Sequence, residues 1–184
     1  MSSNTDYPKP ANEKERLEAL ERYDILDTPP EEAFDRITRM ATKIFDVPVS
    51  LVSLIDEERQ WWKSCIGVDQ RQTDRRLAFC NYPVTTKKTF VIENALEDER
   101  FKDNRLVTGD MHIRAYAGVP LITEDNHVLG SLCVIDTEPR EFSTTEIEIL
   151  EGLGEETYSQ LELRRTKNQF QKQTQELQIL ENAV

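Results

Sequence analysis

The sequence predicts an α+β domain in which a central antiparallel sheet is flanked by N-terminal helices and one long C-terminal helix. Three observations carry that prediction. Apolar residues recur at steps of three and four up to residue 45 and again after residue 143. Between Val47 and Ile135 they gather instead into short β-branched runs separated by turn residues. The 184 residues, 38% hydrophobic and 32% charged, suit one core of ordinary size plus an extension.

The elements follow in order. Residues 1–11 are polar with prolines and read as a loose tail. Asn12 with Glu15 forms a capping pattern, and Leu17 and Leu20 give the short helix behind it a narrow apolar edge. Asp27-Thr28-Pro29-Pro30-Glu31 breaks the chain and opens a second helix, with Thr28 as cap, the prolines in the first turn and Glu31 completing a T-x-x-E box. Phe34, Ile37, Met40, Ala41, Ile44 and Phe45 make its core-facing stripe, which ends at Asp46-Val47-Pro48. Val47–Ile55 and Arg59–Ile66 form a hairpin around Asp56-Glu57-Glu58, with Trp61 and Trp62 on opposite faces.

Residues 67–88 read as a long, partly helical excursion, Thr89–Ile92 as a short strand, and 95–110 as a second excursion with a helical turn at 97–101. Arg114–Ile122 and His127–Ile135 are strands joined at Thr123-Glu124-Asp125-Asn126, because Asp and Asn tolerate the positive φ of a hairpin turn. Gly118 and Gly130 inside these strands indicate bulges or close backbone approach. Ser143-Thr144-Thr145-Glu146 is a capping box that opens the last helix.

Composition narrows the function. The 35 Asp and Glu against 23 Lys and Arg give a charge of −12, which repels phosphate backbones and anionic lipid, so neither nucleic acid nor membrane is expected as a partner. The start carries no basic and apolar leader, and no apolar run approaches the ~20 residues of a membrane span, so a cytoplasmic location is expected. Cys65, Cys80 and Cys133 are odd in number and widely spaced, which suits reduced fillers rather than a disulfide framework or a zinc site. No G-x-G-x-x-G or phosphate-loop pattern occurs. With Cys80 distant from the other thiols and His127 read as solvated behind its turn, no catalytic constellation and no metal site are assigned.

A family resemblance spans about residues 12–162. It rests on Tyr23-Asp24-Ile25-Leu26-Asp27-Thr28-Pro29-Pro30-Glu31, on Phe34-Asp35-Arg36-Ile37, on Arg59-Gln60-Trp61-Trp62-Lys63 and on Ala78-Phe79-Cys80. Arg100-Phe101 with Asp103-Asn104, Ile113-Arg114 with Tyr116-Ala117-Gly118, and Gly130-Ser131-Leu132-Cys133-Val134-Ile135-Asp136 complete it. Together these resemble the N-terminal signature of one branch of bacterial GAF sensor domains, commonly found in histidine kinases and diguanylate cyclases. The resemblance implies a small-molecule pocket roofed by the loops after the second and third strands, with the ligand and any cofactor unidentified. Phe79, Tyr82, Phe101 and Tyr116 lie in or beside those loops and are the candidate pocket rings, with His112 and Arg114 placed to orient an anion. Related sequences often carry His where this chain has Tyr82 and Pro where it has Arg105. Haem or bilin binding finds only His112 or Cys80 as a ligand, and reduction of free methionine sulfoxide lacks a resolving Cys between Met111 and Tyr116.

The last helix carries a separate pattern. Residues 141–162 hold seven Glu and no Lys or Arg, whereas Arg164, Arg165, Lys167 and Lys172 follow without an acid. Leu163, Phe170, Leu177 and Val184 repeat every seven residues, with Thr166, Gln173 and Leu180 at the other seam position. The expectation is a sensor at 12–162 and a signalling or coiled-coil helix at 163–184. That helix is expected to form a homodimer and to lead to a kinase or cyclase domain. The alternatives are a thiol enzyme using Cys80 and a ligand-free dimerisation module.

Overall fold

A computed structural model describes residues 7–182. Val184 of the seam and the first six residues of the tail lie outside it. In chain order the elements are α1 (Glu13–Glu21), α2 (Glu32–Phe45), β1 (Val49–Ile55), β2 (Arg59–Ile66), β3 (Gln72–Asp74), α3 (Asn81–Thr86), β4 (Phe90–Ile92), α4 (Arg105–Thr108), β5 (Ala115–Ile122), β6 (Val128–Asp136) and α5 (Thr144–Asn182). The six strands form one antiparallel sheet in the order β3-β2-β1-β6-β5-β4. This is the α+β architecture the sequence predicts.

The sheet has a core on each face because its strands alternate two apolar sets. On one face Val52, Leu54, Trp61, Val119, Leu132 and Val134 pack beneath α1, α2 and α5. On the other, Leu51, Trp62, Tyr116, Cys133 and Ile135 pack beneath a roof made of residues 75–113. The adjacent tryptophans thus enter different cores, as strand alternation requires. The third strand, β3, is absent from the sequence reading: it has three polar residues on the sheet edge and no apolar period.

Close approach explains both strand glycines. A Cβ on Gly130 would stand 1.8 Å from the carbonyl oxygen of Ser53 on the neighbouring strand, and one on Gly118 would stand 2.1 Å from Tyr116 Oη. Bulges occur instead at Val52/Ser53 and Leu121/Ile122.

The helix ends divide into local and tertiary outcomes. At α5 the capping box forms as read, with Glu146 N donating to Ser143 Oγ at 3.2 Å and Ser143 N to Glu146 Oε2 at 2.8 Å. The box at Thr28 does not form. Thr28 Oγ1 donates to Ile25 O at 2.5 Å and accepts from Lys63 Nζ at 2.9 Å, so α2 begins three residues later than expected, with Glu31 in the cap position. Asn12 also makes no cap, its side chain turning 3.4 Å from the half-buried His127 rather than a solvated one. Met40 and Ile44 face solvent at 45% and 48% exposure. Each precedes a buried residue by one and so stands about 100° round the helix from the stripe Phe34, Ile37, Ala41 and Phe45.

Candidate functional site: an aromatic roof and the helix beyond the sheet

The roof is pinned before it is filled. Arg75, fully buried, donates from Nε to Asn81 Oδ1 at 3.2 Å and from Nη1 to Asp56 O at 3.1 Å, and it also pairs with Glu13 of α1. Asn81 returns a bond to Arg75 O at 2.7 Å, and Asn104 caps α4 while donating to Leu77 O at 3.0 Å. Burial opposes ionisation of Glu13, but its hydrogen bonds to Arg16 and Arg75 outweigh that and hold its carboxyl down at about 2. These bonds fix both excursions over the sheet.

Four of the six candidate residues meet there. Phe79 stacks on Phe101 with centroids 3.9 Å apart and lies 5.2 Å from Tyr116, while Tyr82 lies 5.2 Å from Phe101. Phe90 of β4, which the sequence marks only as a strand residue, completes the group by stacking on Tyr82 at 4.6 Å. The Arg100 guanidinium covers the rings at 5.1 Å from Tyr82 and Phe90 and 5.5 Å from Phe101. His112 and Arg114 stand apart from the rings. Exposed His112 sits 3.0 Å from Arg114 Nη2, and Arg114 Nη1 donates to Val107 O at 2.9 Å and Ile113 O at 3.0 Å. The cation beside the rings is therefore Arg100.

Two spaces border the rings of this roof. Between the roof and the sheet is a cavity of about 10 Å³, lined by Phe79, Cys80, Tyr116 and Cys133 among others, with room for about one water. Outside the rings a cleft of about 550 Å³ opens between the two excursions, with Tyr82, Phe101 and Arg100 on its wall and Arg76, Asp103 and Arg105 at its rim. Neither His112 nor Arg114 lines either space.

The small cavity corrects the reading of the cysteines. Cys80 and Cys133, 53 residues apart in sequence, face the same space, whereas half-buried Cys65 stands elsewhere. Ser131 Oγ donates to Cys80 Sγ at 3.0 Å and Tyr116 Oη lies 3.3 Å from it. Burial pushes the Cys80 thiol up, yet hydrogen bonds from Cys133, Ser131 and Tyr116 together bring it below its usual value. Cys133 and Tyr116 are both pushed up, Cys133 chiefly by its bond to Cys80 and Tyr116 chiefly by burial.

The other face of the sheet carries the long helix. Its proximal turns bury Leu150, Gly154, Thr157 and Leu161, whereas Leu163, Phe170, Leu177 and Leu180 are 61–69% exposed. The helix leaves the domain through a polar clamp. Tyr23 Oη donates to Glu162, Arg164 Nη1 donates to Tyr23 O at 3.0 Å, and Arg164 Nε donates to Glu31 Oε2 at 2.6 Å. Glu31 in turn pairs with Lys63, whose side chain is wholly buried on β2. Nearer its start α5 also touches the edge of the sheet, where Thr89 Oγ1 donates to Glu151 Oε1 at 2.5 Å.

The model of one family, the GAF domain, matches residues 29–159. The chain belongs to the GAF domain family. It is 38% identical over 168 residues to a cyclic di-GMP phosphodiesterase of Pseudomonas aeruginosa; the match takes in 91% of this chain and 29% of that protein's length. The fold is shared with the GAF domain of a phosphoenolpyruvate-protein phosphotransferase from Coxiella burnetii, at TM-score 0.64 and 13% identity, covering 86% of this chain and 99% of the other. The corresponding Acinetobacter domain has TM-score 0.62 at 19% identity, covering 84% of this chain and 98% of its own. As a GAF domain the chain is a sensory or regulatory module. Among the described residues no helix is long and apolar enough to cross a membrane.

Proposed function

We propose that this GAF domain is the sensor of a signal-transduction protein, binding a small molecule at its aromatic roof and relaying occupancy through α5. The rings Phe79, Tyr82, Phe101 and Tyr116 supply the apolar wall, and Arg100 takes the orienting role first assigned to His112 and Arg114. A ligand seated in the outer cleft, or one that lifts the rings and enlarges the inner cavity, favours one roof arrangement over another. That preference is all a population shift needs.

The observation that carries this reading is the short distance from roof to output helix. Tyr82 stacks on Phe90, and the preceding residue, Thr89, is bonded to Glu151 of α5. A second contact runs through β5, where Tyr116 faces the roof and Val119 faces the helix. There a Cβ on Gly154 of α5 would stand 2.5 Å from Val119 Cγ2, so the helix lies hard against that strand.

The exposed stripe Leu163, Phe170, Leu177 and Leu180 then pairs with a second copy in parallel, and the output domain lies outside the matched region. In the Pseudomonas relative that region is 29% of the length. A kinase or cyclase output is the expectation drawn from the branch; the relative's own name makes a phosphodiesterase an equal candidate. A cytoplasmic location and no turnover by this chain belong to the same reading. The cavity beside the paired thiols, at about 10 Å³, is too small for free methionine sulfoxide.

Native mass spectrometry of the purified domain, with an absorption spectrum, tests the ligand. A retained small molecule lost in Tyr82→Ala supports the reading. A protein that is bare and spectrally silent, and whose melting no added nucleotide or metabolite shifts, favours a ligand-free dimerisation module.

A further inference from the structure

Apart from the Arg75–Asn81 pin and Gln60, the buried polar groups on the roof side of the sheet gather at one thiol. Two hydroxyls, those of Ser131 at 3.0 Å and Tyr116 at 3.3 Å, meet the Cys80 sulfur, and all three residues are at no more than 1% exposure. A filler cysteine needs no such company, because buried hydroxyls lower stability unless each finds a partner. Tyr116 moreover holds its hydroxyl there only because residue 118 is glycine; any Cβ would meet that oxygen at 2.1 Å. Ser131 and Cys133 are same-face neighbours on β6, and Cys80 accepts from the first while facing the cavity it shares with the second.

We propose that Cys80 and Cys133 are a peroxide-oxidised thiol pair that closes to a disulfide between the roof and the central strand. The Cys80 thiolate attacks one oxygen of hydrogen peroxide; the O–O bond breaks, and the departing hydroxide takes a proton to become water. The Cys133 sulfur then attacks the resulting Cys80 sulfenic acid, the S–O bond breaks, and a second water leaves with the Cys133 proton. Two thiols lose two electrons and one peroxide becomes two waters. Ser131 and Tyr116 favour the thiolate by donating to it, in keeping with the lowered Cys80 value and the raised Tyr116 value. A cavity of about 10 Å³ excludes a glutathione-sized oxidant; hydrogen peroxide, only one oxygen larger than the single water it holds, needs the least widening of the roof to reach Cys80. The bond fastens the start of α3 to β6 and so locks the roof shut, independently of whether the outer cleft holds a ligand.

The test treats the folded, reduced full chain with hydrogen peroxide, unfolds it in alkylating reagent and maps peptides without reductant. The expected result is a Cys80–Cys133 linked peptide, a mass loss of about 2 Da and return of both thiols with dithiothreitol. Cys133→Ser should stop at a Cys80 sulfenic acid that dimedone traps. Tyr116→Phe should slow closure about tenfold, the thiolate lost if that donor is worth about one pKa unit. Oxidation confined to Cys65, full alkylation of Cys80 and Cys133 after peroxide, or Cys80 oxidised while Cys133 stays free overturns the proposal. Because the mapping reads the wild-type chain, it stands even if a variant fails to fold.

Discussion

Arg164 Nε lies 2.6 Å from Oε2 of Glu31, and that carboxylate is the shared counterion of Arg164 on α5 and of the wholly buried Lys63 on β2. Burial pulls Lys63 toward neutrality and its bond to Glu31 opposes this. Removing Glu31 and removing Arg164 are therefore unequal. Glu31→Gln leaves the buried ammonium without a counterion, held only by Thr28 Oγ1 and Pro29 O, and should cost about 3 kcal/mol, whereas Arg164→Ala leaves Lys63 paired and should cost about 1 kcal/mol. Urea unfolding of the two variants measures the ranking; the reverse order would place the weight of the clamp on Arg164.

Glu13 bonds two buried arginines, Arg16 and Arg75, and its carboxyl is held at about 2 against an ordinary 4.5. A depressed folded value means that this stability is present above pH 4.5 and fades as pH falls toward 2. The pair of values corresponds to about 3 kcal/mol. Glu13→Gln should lower stability by about that amount at neutral pH and flatten its dependence on pH across this window. An unchanged acid slope in the variant would assign the acid sensitivity elsewhere.

The strand glycines should differ in a defined order. At Gly118 an added methyl meets a tyrosine ring, which can shift, and Gly118→Ala should cost about 1–3 kcal/mol. At Gly130 it meets the Ser53 carbonyl at 1.8 Å, so β1 and β6 must part, and Gly130→Ala should cost more. Thermal melts compare them; equal losses would mean that the Tyr116 ring is as fixed as the backbone.

How far the sequence reveals these features depends on how local their causes are. Ser143 and Glu146 are three residues apart and cap each other, so their box is readable from four letters. Thr28 presents the same letters, but Lys63 arrives from another strand and takes its hydroxyl. The alternation that separates Trp61 from Trp62 is intrinsic to a strand and was legible. The stripe on α2 was legible only in outline, because Met40 and Ile44 are apolar residues that its partners β1 and β2 leave uncovered. Within the site, four rings were readable from their place in the excursions. Phe90 looked like any strand residue, Arg100 like any member of a charged run, and the meeting of Cys80 with Cys133 is a product of folding across 53 residues.

The exposed seam of α5 should drive assembly. Thr166 and Gln173 interrupt it, so we expect a weak dimer, in the micromolar range. Sedimentation of the full chain beside L177E/L180E should find dimers only in the first. The paired substitutions leave the clamp at Arg164 intact, so equal behaviour of the two proteins would remove the distal helix from assembly.

The coupling of roof to helix is tested most directly by amide hydrogen exchange along α5 in the wild type and in Tyr82→Ala, a substitution that touches the roof and not the helix. If the stack on Phe90 and the Thr89–Glu151 bond join them, exchange between residues 144 and 165 should quicken by about threefold or more, a shift near 0.7 kcal/mol in local opening. Changes confined to residues 75–113, with α5 exchanging as in the wild type, would contradict the relay.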